Sequence, residues 1–218
     1  MKTVMITGAG RGLGLELAKV FDAAGYRLIL NCRTYPYHSN GDSQIVFGDL
    51  RDNETINALA DMAEVMGVDI LINCAGVYSN KEFDNLSVGD IESVMNSNFL
   101  APVALAKRIF PMLQGRQGGY IVNINSLAGV LGAKGEMAYA ASKHALRGFF
   151  DSLKFEATKH GIKILNVYAG AMKTDMTSNR QDQDKLIDPV EVAELIYALC
   201  KDYKTLNIPE ITISRSNY

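Results

Sequence analysis

The chain alternates between two apolar patterns along its length, and that alternation leaves few folds open. Runs 2–7, 27–32, 44–47, 68–74, 119–125, 162–168 and 209–214 are short and rich in Val, Ile and Leu. Strands buried on both faces read this way. Between them, segments 12–24, 52–66, 88–113, 137–159 and 188–202 repeat apolar residues at helical spacing. The first carries Leu13, Leu17, Val20 and Phe21 and stops at Gly25; the last starts at Asp188-Pro189, an N-cap followed by proline at the first helical position. The long segment 88–113 is expected to bend near Pro102. Strands alternating with helices of this length form βαβ units. The expected fold is α/β: a doubly wound, Rossmann-type parallel sheet of about seven strands with helices on both faces. Ligands of such sheets bind at the carboxyl ends of the strands.

Composition narrows the function classes. Hydrophobic residues are 48% and charged residues 21% of 218, the balance of a globular domain rather than a disordered chain. A formal net charge of −2 gives no electrostatic footprint for nucleic acid or an anionic membrane. No apolar run reaches the ~18 residues of a spanning helix, and the opening Met1–Thr7 run is too short for a signal peptide. Cys32, Cys74 and Cys200 are scattered, with no C-x-x-C, so neither a metal site nor a disulfide framework is expected. Reduced thiols fit a cytoplasmic location.

Between the first strand and the first helix lies Thr7-Gly8-Ala9-Gly10-Arg11-Gly12-Leu13-Gly14. Glycines allow a tight turn and close approach of a pyrophosphate, and the following helix offers it free N–H groups. The spacing departs from G-x-G-x-x-G; with Thr7 in front it resembles the T-G-x-x-x-G-x-G signature of the classical short-chain dehydrogenase/reductase family. Gly8, Gly10, Arg11, Gly12, Leu13 and Gly14 are therefore candidate cofactor contacts. Two further stretches are similar to family motifs. Asp49-Leu50 resembles the pair that meets the adenine. Asn73-Cys74-Ala75-Gly76 resembles N-N-A-G, which borders the ribose and steadies the sheet, with Cys74 read as a buried small apolar side chain.

The choice of nicotinamide cofactor rests on charge. An NAD site places an acid about 20 residues past the turn, on the ribose 2′-hydroxyl. Here no acid occurs between Asp22 and Asp42, and Arg33 follows the second strand. Arg33 and Arg11 suit a 2′-phosphate. NADP(H) is expected rather than NAD(H).

Tyr139 and Lys143 stand four apart on a helix and share one face. Ser126 ends the preceding strand, and Asn98 lies in the helix before that. In order and spacing these resemble the family's Asn–Ser–Tyr–Lys tetrad. The resemblance implies hydride transfer between nicotinamide and a carbonyl/alcohol pair of a small molecule. Tyr139 is the acid/base, with Lys143 expected to draw its pKa down and to bind the ribose. Ser126 orients the substrate oxygen, and Asn98 holds a water that links Lys143 to solvent. Ser142 and His144 flank Lys143 and are expected on other helix faces; His38, His144 and His160 are read as surface residues.

The stretch Ala169-Gly170-Ala171-Met172-Lys173-Thr174 resembles P-G-x-x-x-T, with Ala169 in place of proline and a looser loop expected. Gly170, Met172 and Thr174 are the candidate contacts there. Too few residues separate Arg33 from Asp49 for a crossover helix, so an irregular link is expected. Residues 175–187 read as a lid, with Met176 its chief apolar residue; Val77, Tyr78, Leu127, Val130, Leu131 and Met137 are candidate pocket walls. The expected organisation is one domain, 1–218, with a cofactor half over about 1–118 and a catalytic half over about 119–218. The family pairs subunits through its two long helices, which implies a homodimer or homotetramer. Two other readings stay open: a reductase of a ring C=N or pterin-like substrate, and a non-catalytic NADP(H)-binding sensor.

Overall fold

The computed structural model describes residues 1–34, 37, 42–116, 118–201 and 205–216. Seven strands form one sheet: β1 (Thr3–Ile6), β2 (Arg27–Cys32), β3 (Ser43–Phe47), β4 (Ile70–Asn73), β5 (Gly119–Ser126), β6 (Ile162–Ala169) and β7 (Glu210–Ile213). Their order is β3-β2-β1-β4-β5-β6-β7, and every pair is parallel. The chain leaves β1 toward one edge and returns at β4 to build toward the other. Ends of β1 and β4 thus diverge into a crevice at the switch of direction.

Strand alternation sorts the core into two layers. Val4 and Ile6 of β1 and Leu28 and Leu30 of β2 face one side, where Leu17 and Phe21 of α1 (Gly12–Ala23) and Val192 and Ile196 of α6 (Pro189–Leu199) cover them. Met5 and Ile29 face the other side. There they meet Leu59 of α2 (Asn53–Met66), Leu105 and Ile109 of α4 (Ala101–Gly115), and Leu146 and Phe150 of α5 (Met137–Ala157). Both faces of the sheet are thereby removed from water, each large side chain contributing about 1.5–3 kcal/mol.

A polar seam crosses the second layer. Asn73, Asn123 and Asn166 stand side by side on β4, β5 and β6, exposed by 3%, 0% and 0%. Asn73 Nδ2 donates to Asn123 Oδ1, and Asn123 Nδ2 to Asn166 Oδ1, both at 2.9 Å. Asn166 Nδ2 then donates to Asp151 of α5 at 3.0 Å.

The expected elements are present within one to two residues at most ends, with one break displaced. Segment 88–113 divides into α3 (Val88–Met95), a π turn (Asn96–Leu100) and α4. The break precedes Pro102, which sits at the start of α4, where its missing N–H costs nothing. The link from β2 to β3 carries no helix among the described residues; His38 and most of that link lie outside them.

Candidate active site

The crevice at the sheet's switch point opens into a cleft of about 1210 Å³. One end is the turn between β1 and α1. Gly8 has φ +69°, and a Cβ there would stand 2.8 Å from Ala75 Cα. A Cβ on Gly14 would stand 2.2 Å from Gly8 O, and one on Gly12 3.2 Å from the Thr174 side chain. Turn, Ala75 segment and Thr174 are therefore stacked backbone to backbone. Thr7 ties the first two together. Its Oγ1 accepts from the N–H groups of Cys74 and Ala75 at 3.0 and 3.1 Å. Sequence reasoning quoted Thr7 as a motif letter and assigned it no task.

This end fits a dinucleotide pyrophosphate on structural grounds. Arg11, the N-cap of α1, makes no side-chain cap, and the first turn contains no acid. The opening N–H groups of α1 thus face the cleft uncapped, as an anion requires.

Charges gather further along. Asp49 pairs with Arg51 through two contacts, Nε to Oδ1 at 3.0 Å and Nη2 to Oδ2 at 2.8 Å. Arg33 approaches the same carboxylate at 3.8 Å. The Arg51 guanidinium holds the Asp49 carboxyl below its usual pKa. Leu50 lines the cleft beside them. Arg11 instead faces the lid, 3.4 Å from Asp175.

At the other end α5 presents Tyr139 and Lys143 on one face, as the four-residue spacing requires. Lys143 is 5% exposed; its Nζ donates to Ile124 O at 2.9 Å and lies 5.7 Å from the Tyr139 ring centre. Burial lowers its pKa to about 8. Tyr139 corrects an expectation. Burial pushes its phenol up to about 12, which outweighs the lowering effect of the Ser126 hydroxyl beside it. Lys143, expected to pull that pKa down, does not do so here. Ser126, at the end of β5, is oriented by its N–H donating to Asn125 Oδ1 at 2.8 Å.

Asn98 sits in the π turn and is 1% exposed. Its Nδ2 donates to Val77 O at 2.9 Å and to Ser142 Oγ at 3.0 Å. Ser142 is thus a second correction: it is fully buried and faces Asn98, and its hydroxyl donates to Tyr139 O at 2.7 Å. Three residues from Tyr139, it is held by the other side of the same turn of α5. His144 and His160 are exposed, as expected.

The walls divide unevenly. Val77, Tyr78, Leu127, Leu131 and Met176 line the cleft; Val130 and Met137, expected there, do not. Tyr78 stands edge-on to Tyr139, ring centres 5.2 Å apart, and its hydroxyl donates to Glu136 at 2.8 Å. The loop after Ala169 is tied down despite lacking proline. Gly170 N–H donates to Ile213 O, Lys173 N–H to Ile187 O and Ile187 N–H to Ala171 O. Met172 and Thr174 are held in the cleft wall by this stretch.

A doubly wound sheet with a glycine-lined cleft at its switch point and a Tyr–Lys pair at the far end defines a nucleotide-binding oxidoreductase of the Rossmann type. The model of the short chain dehydrogenases matches residues 2–185. The chain belongs to the short-chain dehydrogenase/reductase family. It is 37% identical over 196 residues to dehydrogenase/reductase SDR family member 7B of Mus musculus, covering 83% of this chain and 61% of that protein. Among solved structures, ElxO with NADP bound is 25% identical with a TM-score of 0.87, covering 98% of this chain and 96% of that one. A 4-hydroxyisoleucine dehydrogenase complexed with NADH is 26% identical with a TM-score of 0.85, covering 98% and 96%. Among the described residues, no helix is long and apolar enough to cross a membrane.

Proposed function

We propose that the protein is an NADP(H)-dependent oxidoreductase acting on the carbonyl/alcohol pair of a small molecule, with Tyr139 as the acid and base. The observation that carries this reading is a single cleft with an uncapped, glycine-lined helix start at one end and Tyr139, Lys143 and Ser126 at the other. The likeness to ElxO with NADP bound supports it.

In this reading the backbone of Gly8 to Gly14 holds the pyrophosphate, Arg33 and Arg11 the 2′-phosphate, and Asp49 and Leu50 the adenine side. Asn73, Ala75 and Gly76 border a ribose, and Gly170, Met172 and Thr174 the nicotinamide end. When bound, the nicotinamide supplies the hydride that adds to the carbonyl carbon. The Ser126 hydroxyl donates a hydrogen bond to the carbonyl oxygen and fixes its direction. The Tyr139 phenol gives that oxygen its proton, so the product is the alcohol. A phenol held at about 12 stays protonated at neutral pH and is ready to donate. Lys143 keeps a positive charge under the ring and lowers the cost of the phenolate left behind. Asn98 fixes the wall opposite Tyr139 through Val77.

NADPH consumption by the purified protein, measured across aldehydes, ketones, quinones and pterins with NADH in parallel, tests the reading. Turnover with NADPH on a carbonyl, lost by roughly 10²–10⁴-fold in Tyr139→Phe while NADPH still binds, is the expected result. Full turnover by Tyr139→Phe would remove Tyr139 from the chemistry.

A further inference from the structure

Asp49 and its two arginines form an unequal trio. Arg51 takes both carboxylate oxygens, Nε on Oδ1 at 3.0 Å and Nη2 on Oδ2 at 2.8 Å, and its own N–H adds a third bond to Oδ1 at 3.0 Å. Such two-point pairs are the strong form of the arginine–carboxylate contact. Arg51 Nη1 also donates to Ser93 Oγ of α3 at 3.4 Å, so the guanidinium is anchored from both sides. Arg33 reaches Oδ2 only at 3.8 Å, beyond a hydrogen bond, and 61% of its side chain is exposed. All three residues line the cleft. Two guanidinium groups thus share one carboxylate, and the geometry leaves the surplus positive charge on Arg33.

We infer that Arg51 is a positioning residue for cofactor selectivity: by occupying both oxygens of Asp49 it keeps Arg33 free to grip a ribose 2′-phosphate. The inference rests on the NADP(H) reading above and deepens it. An anionic Asp49 in this place would otherwise do two harmful things. It would take Arg33 as its partner, and it would repel the arriving phosphate dianion. Arg51 neutralises it without entering the phosphate contact. The carboxyl's lowered pKa, caused first by Arg51, means the charge is present throughout the neutral range and has to be met by a cation. Side chains of Asp49 and Arg51 are 25% and 46% exposed. A pair this exposed adds little to stability, so its removal reads out in binding rather than in folding.

The test is the dissociation constant for NADPH and for NADH of the wild-type protein, Arg51→Ala, Asp49→Asn and the double variant. Arg51→Ala is expected to weaken NADPH about tenfold, equivalent to about 1.4 kcal/mol, and to leave NADH within about twofold. The double variant is expected to regain NADPH affinity, because the charge that needed shielding is gone. If the wild type prefers NADPH and Arg51→Ala keeps that preference, the inference falls while the NADP(H) reading stands. A loss in Arg51→Ala that the double variant does not repair also overturns it, since Arg51 would then hold the phosphate or the loop directly. A wild type with no preference for NADPH overturns the cofactor reading and this inference together.

Discussion

Asn98 and Val77 bond each other twice: the Val77 N–H donates to Asn98 Oδ1 at 2.8 Å, and Asn98 Nδ2 donates to the Val77 carbonyl at 2.9 Å. The side-chain amide copies the pairing of a strand neighbour for one residue just past the sheet. Its remaining N–H is spent on Ser142 Oγ. The amide is therefore fully committed to holding Val77, and with it the adjacent Tyr78, against the start of α5.

Replacing Asn98 by Leu strands both Val77 backbone groups in a part-buried setting. The expected cost is about 2–5 kcal/mol of unfolding free energy, with kcat falling more than NADPH affinity. Urea denaturation alongside steady-state kinetics reads both; unchanged stability would show that Asn98 does not hold this wall.

The pH profile follows from two opposed shifts. Lys143 is lowered from 10.5 to about 8, so its ammonium is present below pH 8 and lost as pH rises through it. Tyr139 is raised to about 12 and keeps its proton across that whole range. Reductive kcat is expected to be level up to about pH 7 and to decline through a single ionisation near 8. A profile that stays level to pH 9.5 would separate the Lys143 charge from the reaction.

Gly14→Ala places a Cβ 2.2 Å from Gly8 O, with backbone on both sides of the contact. The first turn of α1 has to move away from the glycine loop. Overpacking of this kind costs about 1–3 kcal/mol, expected here mainly as lost cofactor affinity. Isothermal titration with NADPH checks it, and wild-type affinity would mean that the turn yields freely.

Arg11 and Asp175 join the glycine turn to the lid at 3.4 Å, with side chains 69% and 70% exposed. So exposed a pair contributes little to stability. Asp175→Asn is expected to leave the melting temperature nearly unchanged and to tighten NADPH binding about two- to fivefold, because Arg11 loses a competing anion. Weaker binding would show that Asp175 positions Arg11 rather than competing for it.

Most of the fold could be read from the chain because buried parallel strands and covering helices carry different apolar periods. The β1, β2 and β5 runs carry hydrophobic residues on both faces, and α1 and α5 present one apolar stripe. The Tyr139–Lys143 pair was legible for the same reason, since helical spacing alone puts both on one face. Other parts of the site have no such signature. The π turn at Asn96–Leu100 depends on how α3 and α4 meet α5, and its residues are ordinary helix residues. Ser142 looked outward by face counting because helix arithmetic does not know that Asn98 waits on that side. The rise in the Tyr139 pKa comes from burial by tertiary packing, which a motif does not record. Arg51 was passed over because a lone arginine after Asp49 means nothing until the carboxylate is seen to be shared.

The asparagine seam on β4, β5 and β6 has a consequence for how this sheet can change. Each amide satisfies its neighbour, and all three lie in an apolar layer. Replacing Asn123 alone would leave a donor on one side and an acceptor on the other without partners, a double penalty for a single substitution. Variation at these three positions is therefore coupled. A lineage of this sequence can drift freely at Ile121 or Ile164, where one aliphatic side chain stands in for another, but it leaves the Asn73–Asn123–Asn166 row only by passing through a less stable intermediate or by changing neighbours together.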